Sequence, residues 1–173
     1  VPYVSSVISE LFPFNYSVTG SDNDRAIDVF CNYLPFSIHE YDSGLSLNGW
    51  KIPHGWLASS ATISFDGHIV YDCLSSPLGC SYLSPSFSGK ISKDVLIQHS
   101  AFRLDLPDAV VYDWSRLYRQ GVLDWGLSVP WNIIYSLPSN DLDIVINTSF
   151  YPATMKVLDY FIQGQSDTEI IIN

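Results

Sequence analysis

Residues 168–173, TEIIIN, constrain the fold more than any other stretch of the sequence. Successive side chains in a β-strand point to opposite sides, so three consecutive isoleucines make both faces of a strand apolar. Such a strand is typical of a parallel sheet that is covered by helices on either side. A layer of this kind requires more polypeptide after the strand, and we therefore expect the 173 residues to be part of a longer protein.

Composition and charge exclude several classes of protein. Hydrophobic residues make up 47% and aromatic residues 14% of the chain, which is enough to build a folded core. The formal net charge of −10 would repel phosphate backbones, so we expect no nucleic-acid partner. We find no apolar run of roughly 18–20 residues and no signal peptide, which predicts no membrane partner. The cysteines lack metal-type spacing, as expected for reduced thiols in a cytoplasmic protein.

The outer parts of the chain combine helices and strands. Apolar residues recur at helical spacing in two stretches that are ended by Pro13 and Pro35, and the segment FSIHEY then predicts a strand. After residue 141, the alternating segment DLDIVINTSFY and the segment ATMKVLDYFI predict a long hairpin. The final strand at residues 168–173 would follow this hairpin.

The middle of the chain has a different texture, with short β-prone runs, frequent Gly and Pro, and all five tryptophans. Asp66-Gly67 predicts a tight hairpin turn, and Ser92 is placed to cap a helix that follows a glycine turn. The segments DAVVYDW and DWGLSVPWNIIYSL predict aromatic strands. We expect a mixed α/β (α+β) fold in which residues 1–49 and 143–173 form one α/β unit, interrupted by a β-rich inserted domain at residues 50–142.

The sequence contains no recognisable active site. The four histidines share no metal-type spacing with cysteines or carboxylates, and neither a nucleophile elbow nor a phosphate-binding glycine loop is present. Ser17 and Thr19 are candidate binding residues, with turn formation or helix capping as the alternative. We therefore predict no catalytic residue and no metal ligand within this chain.

Aromatic side chains offer the other candidate site. Trp114 and Trp125 lie beside acidic residues, and an indole ring next to a carboxylate such as that of Asp124 suits hydroxyl-rich ligands. The alternative is that the tryptophans fill the core of a small β-rich domain. Both interpretations stay open at this point.

Five segments of the chain stand in an order that is informative, namely LFPFNYSVTG, GWKIPHGW, FSGKISKDVLIQH, YRQGVLDWGLSV and MKVLDYFIQGQSDTEIIIN. This order resembles a bacterial aminopeptidase-like family of the zinc-dependent exopeptidase fold, which carries an inserted domain of unknown function. Tyr16 departs from that family's pattern, because an arginine is usual before its Ser-x-Thr-Gly. The apolar run VPWNIIYSL also departs from it, because the family often has polar residues there.

The resemblance implies that the first metal ligands and the catalytic residues would lie beyond Asn173. In the family, one or two zinc ions polarise a substrate carbonyl and activate water, with a glutamate as general base. We thus expect the N-terminal portion of a zinc aminopeptidase-like hydrolase, acting on a peptide or a sugar-linked small substrate and inactive as an isolated chain. The alternative is a non-catalytic glycan- or protein-binding protein that uses the inserted domain. A third possibility is self-association through the terminal strand.

Overall fold

The computed structural model describes residues 2–15, 18–116, 124–166 and 170, and within these the fold is mixed α+β, as expected from the sequence. The helices are α1 (Pro2–Leu11), α2 (Ser21–Tyr33), α3 (Lys93–Gln98) and α4 (Trp131–Ser136). The strands are β1 (Ser37–Asp42), β2 (Ser46–Leu47), β3 (Trp50–Lys51), β4 (Gly55–Phe65), β5 (His68–Asp72), β6 (Phe87–Ile91), β7 (Ser100–Ala101), β8 (Leu127–Ser128), β9 (Leu142–Tyr151) and β10 (Thr154–Asp159).

An antiparallel sheet with the strand order β5-β4-β9-β6 forms the centre of the molecule. The hairpin that joins β4 to β5 turns at Asp66 and Gly67, whose φ angles are 51° and 76°. Positive φ at both central residues is the geometry that an Asp-Gly pair favours in a tight hairpin turn, so the predicted hairpin is confirmed.

The hydrophobic core lies on one face of this sheet. Alternate residues of β9, which are Leu142, Ile144 and Ile146, are fully buried because side chains two residues apart point to the same face. Leu96 of α3 and Ile134 of α4 join the same buried cluster. Burying each such aliphatic side chain stabilises the fold by about 1.5–3 kcal/mol.

A separate two-stranded ribbon pairs β1 with β10, with Ser37 opposite Asp159 and Asp42 opposite Thr154. The hairpin predicted from the segments that contain β9 and β10 is therefore wrong. β9 pairs with β4 and β6 instead, and β10 pairs with a strand more than one hundred residues earlier in the sequence. Alternation along a strand predicts which face is buried, but it does not identify the neighbouring strand.

Two further secondary-structure predictions are corrected. The segment DAVVYDW forms no strand: residues 109–113 carry no regular structure, and a short 3₁₀ turn spans Trp114–Arg116. The segment WNIIYS forms helix α4 instead of a strand, beginning after Pro130, whose φ of −52° suits a helix start. Ile134 is the buried residue of α4 and joins the core cluster, so packing against the core selects the helix over the β propensity of the isoleucines.

The predicted terminal strand falls almost entirely outside the described residues. Of residues 168–173 the structure describes Ile170 alone, and its side chain is 86% exposed. The terminal strand and the division into an outer unit and an inserted domain therefore stay predictions. No helix among the described residues is long and apolar enough to span a bilayer.

Candidate binding cleft

A cleft of about 660 Å³ is lined by residues 100–103, 106 and 109–115. Tyr112 and Trp114 lie on its rim, with their ring centroids 4.9 Å apart in an edge-to-face arrangement. Trp114 is 73% exposed, although a large aromatic side chain gains stability by being buried. The cleft therefore presents an aromatic pair to solvent.

The backbone before the aromatic pair is fixed by one buried serine of β8. The Ser128 hydroxyl accepts a hydrogen bond from the Val111 N–H at 2.9 Å and donates one to the Val111 carbonyl oxygen at 2.6 Å. Of the three residues that follow Val111, Tyr112 and Trp114 are exposed, whereas Asp113 between them is buried. The tethered segment therefore turns both rings outwards and the carboxylate inwards.

The buried side chain of Asp113 fixes the segment that carries Tyr112 and Trp114. Its carboxylate accepts hydrogen bonds from the Ser81 hydroxyl at 2.6 Å, the Ser115 hydroxyl at 2.6 Å and N–H at 3.0 Å, and the Arg116 Nη1 at 3.1 Å. Burial alone would raise the pKa of Asp113, but the hydrogen bonds from Ser115, Ser81 and Arg116 outweigh it and hold the pKa below its ordinary value. The carboxylate is therefore charged at neutral pH, and it ties the cleft wall to the core.

Arg116 connects this anchor to two further segments. Its Nη2 donates to the carbonyl oxygen of Gln98 at 3.0 Å, and its Nε lies 3.8 Å from the Asp124 Oδ2. The guanidinium lies against Gly126, where a Cβ atom would be only 2.7 Å from the Arg116 Nε. A side chain at position 126 would therefore require the Arg116 and Ser81 side chains to move.

Comparison with known proteins gives the family of this chain. The family described as "Domain of unknown function (DUF4910)" matches residues 5–173. The chain belongs to this family. A relative from Clostridium acetobutylicum, named "Putative polysaccharide biosynthesis protein with aminopeptidase-like domain", is 26% identical over 170 residues, which are 98% of this chain and 38% of the relative.

A solved structure is also similar to this DUF4910 chain. It is a crystal structure of a "putative peptidase" from Clostridium acetobutylicum, which is 25% identical and superposes with a TM-score of 0.78. The match covers 94% of this chain and 38% of that one. The DUF4910 chain thus spans about 38% of the length of the relatives that it matches, and its fold is similar to that of part of a protein named a putative peptidase.

The residues predicted as binding candidates occupy different environments in this DUF4910 chain. Trp114 lies on the cleft rim, and the half-exposed Asp124 lies 3.7 Å from the His99 Nδ1 as well as near Arg116. Trp125 is buried and stacks with His99 at 4.0 Å between ring centroids. The Trp125 ring therefore packs the core and is not available for stacking on a ligand.

The two turn candidates lie away from the cleft or outside the described residues. Thr19 is fully buried and donates a hydrogen bond to the Pro53 carbonyl oxygen at 3.3 Å, which indicates a structural role. Ser17 is not among the described residues. Tyr112, which sequence reasoning missed, has one usable signal: it precedes Trp114 by two residues, so both rings share a face of an extended segment.

Among the described residues of the DUF4910 chain, no three His, Cys, Asp and Glu side chains are grouped closely enough to hold a metal ion. Cys73 and Cys80 are buried free thiols, and burial raises the pKa of both, that of Cys80 to about 11. A thiol whose pKa is raised is a poor nucleophile and a poor metal ligand at neutral pH, because both roles require the thiolate.

Proposed function

We propose that this chain is the N-terminal portion of a zinc-dependent aminopeptidase-like hydrolase and that it does not itself hold the metal. The similarity to the Clostridium acetobutylicum relative and to the Clostridium acetobutylicum crystal structure carries this proposal: each match extends over nearly the whole chain, and both names are peptidase-related. Because the described residues do not fit zinc, we place the metal ligands in the part of the polypeptide that the relatives have in addition. The substrate class we propose is a peptide or a sugar-linked small molecule.

Metal content and turnover test this proposal. In the gene product translated to its natural stop codon, we expect zinc to co-purify and aminoacyl 4-nitroanilides to be hydrolysed. Residues 1–173 alone should do neither. The measurements are elemental analysis of the purified protein and release of 4-nitroaniline, with a chelator-treated sample as the control. Stoichiometric zinc in the 173-residue chain would contradict the proposal, and so would a full gene product that has neither metal nor turnover.

A second candidate function is non-catalytic binding of a glycan or a protein at the cleft. The exposed Tyr112–Trp114 pair favours it, since aromatic rings that remain uncovered in a folded chain are typical of recognition surfaces. The carboxylate of Asp113, which lies between the two aromatic residues in the sequence, is already hydrogen-bonded to other groups of the protein. Recognition at this place would thus depend on stacking and apolar contact.

Replacing Trp114 with alanine tests the binding hypothesis. Any glycan or peptide that binds wild-type protein on glycan and peptide arrays should bind the Trp114→Ala variant at least about tenfold more weakly, because exposed tryptophans often dominate binding energy. Calorimetric titration of both proteins with the glycan or peptide found on the array measures the change in affinity. Phe12→Ala is the matched control, because Phe12 is an equally exposed aromatic residue that lies in another part of the chain. Unchanged affinity in the Trp114→Ala variant would exclude the cleft as the binding site.

A further inference from the structure

The β1–β10 ribbon has little cover within the described residues, where Asp24 of α2 reaches it through an ion pair with Lys156 at 2.7 Å. None of its twelve residues is fully buried, whereas the four-stranded sheet has fully buried residues such as Ile63 and Ile144. Within the described chain each of the two strands pairs only with the other. An isolated two-stranded antiparallel sheet is at best marginally stable in water, so the ribbon requires additional strands or a packed layer.

Both faces of the ribbon carry apolar side chains. Residues directly opposite each other in an antiparallel pair lie on the same face, so Val157 shares a face with Tyr41 and Met155. Ile38 and Leu158, which are opposite each other, lie on the other face, which they share with the pairs Glu40–Lys156 and Asp42–Thr154. Each face of the ribbon therefore carries an apolar patch, and apolar patches on both faces fit a sheet that further layers cover.

Apolar side chains outside the ribbon show the same lack of cover. Phe161 and Ile162, which follow β10, are strongly exposed, and so are Val4 and Ile8 of α1. Val4 and Ile8 are four residues apart and share one face of the helix. A ten-residue helix whose apolar face is open gains little from packing, and helices of this length are marginal in isolation.

We infer that the β1–β10 ribbon is the docking surface for the aminopeptidase-like remainder of the same polypeptide, which adds strands to the ribbon edges and covers its faces. Three observations select this occupant: the unpaired edges, the apolar residues on both faces, and the relatives, which have about 62% of their length outside the match with this chain. An added strand forms hydrogen bonds with the unpaired backbone groups of an edge strand, and one such strand on each side would pair both edges of the ribbon. The inference rests on the proposed function in that it takes the longer polypeptide to be peptidase-like.

The test uses the gene product translated to its natural stop codon and one pair of substitutions. Val157→Asp places a charge on the ribbon. Ile69→Asp, the control, places a charge on β5, at the edge of the four-stranded sheet. In the described chain Val157 is 45% exposed and Ile69 is 66% exposed. If the ribbon is covered, Val157→Asp should lower the Tm of the full gene product by about 3 °C or more, because it buries a charge at an interface. Ile69→Asp should leave it nearly unchanged.

Hydrogen exchange provides the second measurement. Amides of β10 in the full gene product should exchange at rates within about tenfold of those in the four-stranded sheet, whereas in the 173-residue chain they should exchange much faster. If Val157→Asp prevents folding, the milder Val157→Thr should still lower the Tm, by a smaller amount. Equal effects of the Val157 and Ile69 substitutions would overturn the inference, as would a gene product without additional polypeptide.

The remaining outcomes separate this inference from its alternatives. If the 173-residue chain is a dimer by light scattering and Val157→Asp makes it monomeric, a second copy is the occupant and the inference is wrong. None of these measurements depends on catalysis. A full gene product that protects the ribbon but lacks zinc and turnover would leave the docking surface established and overturn the hydrolase proposal alone.

Discussion

Replacing Arg116 with methionine is expected to destabilise the protein by about 3 kcal/mol. The Arg116 guanidinium lies 3.1 Å from the Asp113 carboxylate, and both side chains are largely buried. Removing the positive charge leaves Asp113 charged in a poorly solvated place, and burial of an unpaired charge is strongly unfavourable. Methionine keeps much of the apolar stem, so the loss reports on the charge and not on packing. The free energy of unfolding from urea titration measures the effect.

The pH dependence of stability gives this prediction an independent check. The pKa of Asp113 is lower in the folded protein than in the unfolded chain, where it is about 3.9. Its contribution to stability is thus fully present above that unfolded pKa, and it is lost as the pH falls through the folded pKa. The Arg116→Met variant should retain less of this contribution, because one of the groups that lower the pKa is gone. Urea titrations between about pH 2 and pH 6 compare the two profiles.

A matched control exists on the surface. Arg103 also forms an ion pair with an aspartate, Asp105, but both side chains are largely exposed. Exposed ion pairs contribute little to stability, so Arg103→Met should leave the urea midpoint unchanged within error. Equal losses in the Arg103 and Arg116 variants would show that the buried pair has no special role in holding the cleft wall.

Local sequence signals predicted the local parts of the fold. The Asp66-Gly67 turn and the Ser92 cap of α3, where the Ser92 hydroxyl accepts from the Val95 N–H at 3.3 Å, depend only on residues a few positions apart. The pairing of β9 and β10 depends on partners far away in the sequence, and local alternation contains no information on those partners. The helix at α4 was missed for a related reason: burial of Ile134 decides the conformation, and burial is a property of the whole fold.

The candidate site was predictable only in its exposed part. Trp114 is recognisable in the sequence as an aromatic residue among acidic ones, and the structure places it on a cleft. Trp125 has the same sequence context, yet it stacks with His99 in the core. What distinguishes the two is the buried network of Asp113 and Arg116, which turns the first ring outwards, whereas the second ring stacks with His99 and Phe87. Contacts of this kind join segments that the sequence does not show as neighbours.

Gly79→Ala adds a single methyl group, yet it is expected to lower the free energy of unfolding by about 3 kcal/mol and the Tm by roughly 9 °C. A Cβ atom built on Gly79 would overlap the carbonyl oxygen of Cys73, and the overlapping atom belongs to the backbone, which cannot rotate away as a flexible side chain can. The Gly79 carbonyl also accepts a hydrogen bond from the Ser128 N–H at 2.9 Å. A shift of Gly79 would therefore disturb the serine that fixes the cleft wall.

Gly164→Ala separates this steric effect from the general effect of removing a glycine. Both substitutions reduce the freedom of the unfolded chain, which favours the folded state by about 0.4–1 kcal/mol where the new side chain fits. A Cβ atom on Gly164 would meet no atom of the described residues within 4 Å, so Gly164→Ala should be neutral or slightly stabilising. Calorimetric unfolding of the two variants beside the wild type gives both Tm shifts. Similar shifts in the two variants would show that the turn at Gly79 moves freely enough to accept a side chain, and that it does not hold Ser128 in place.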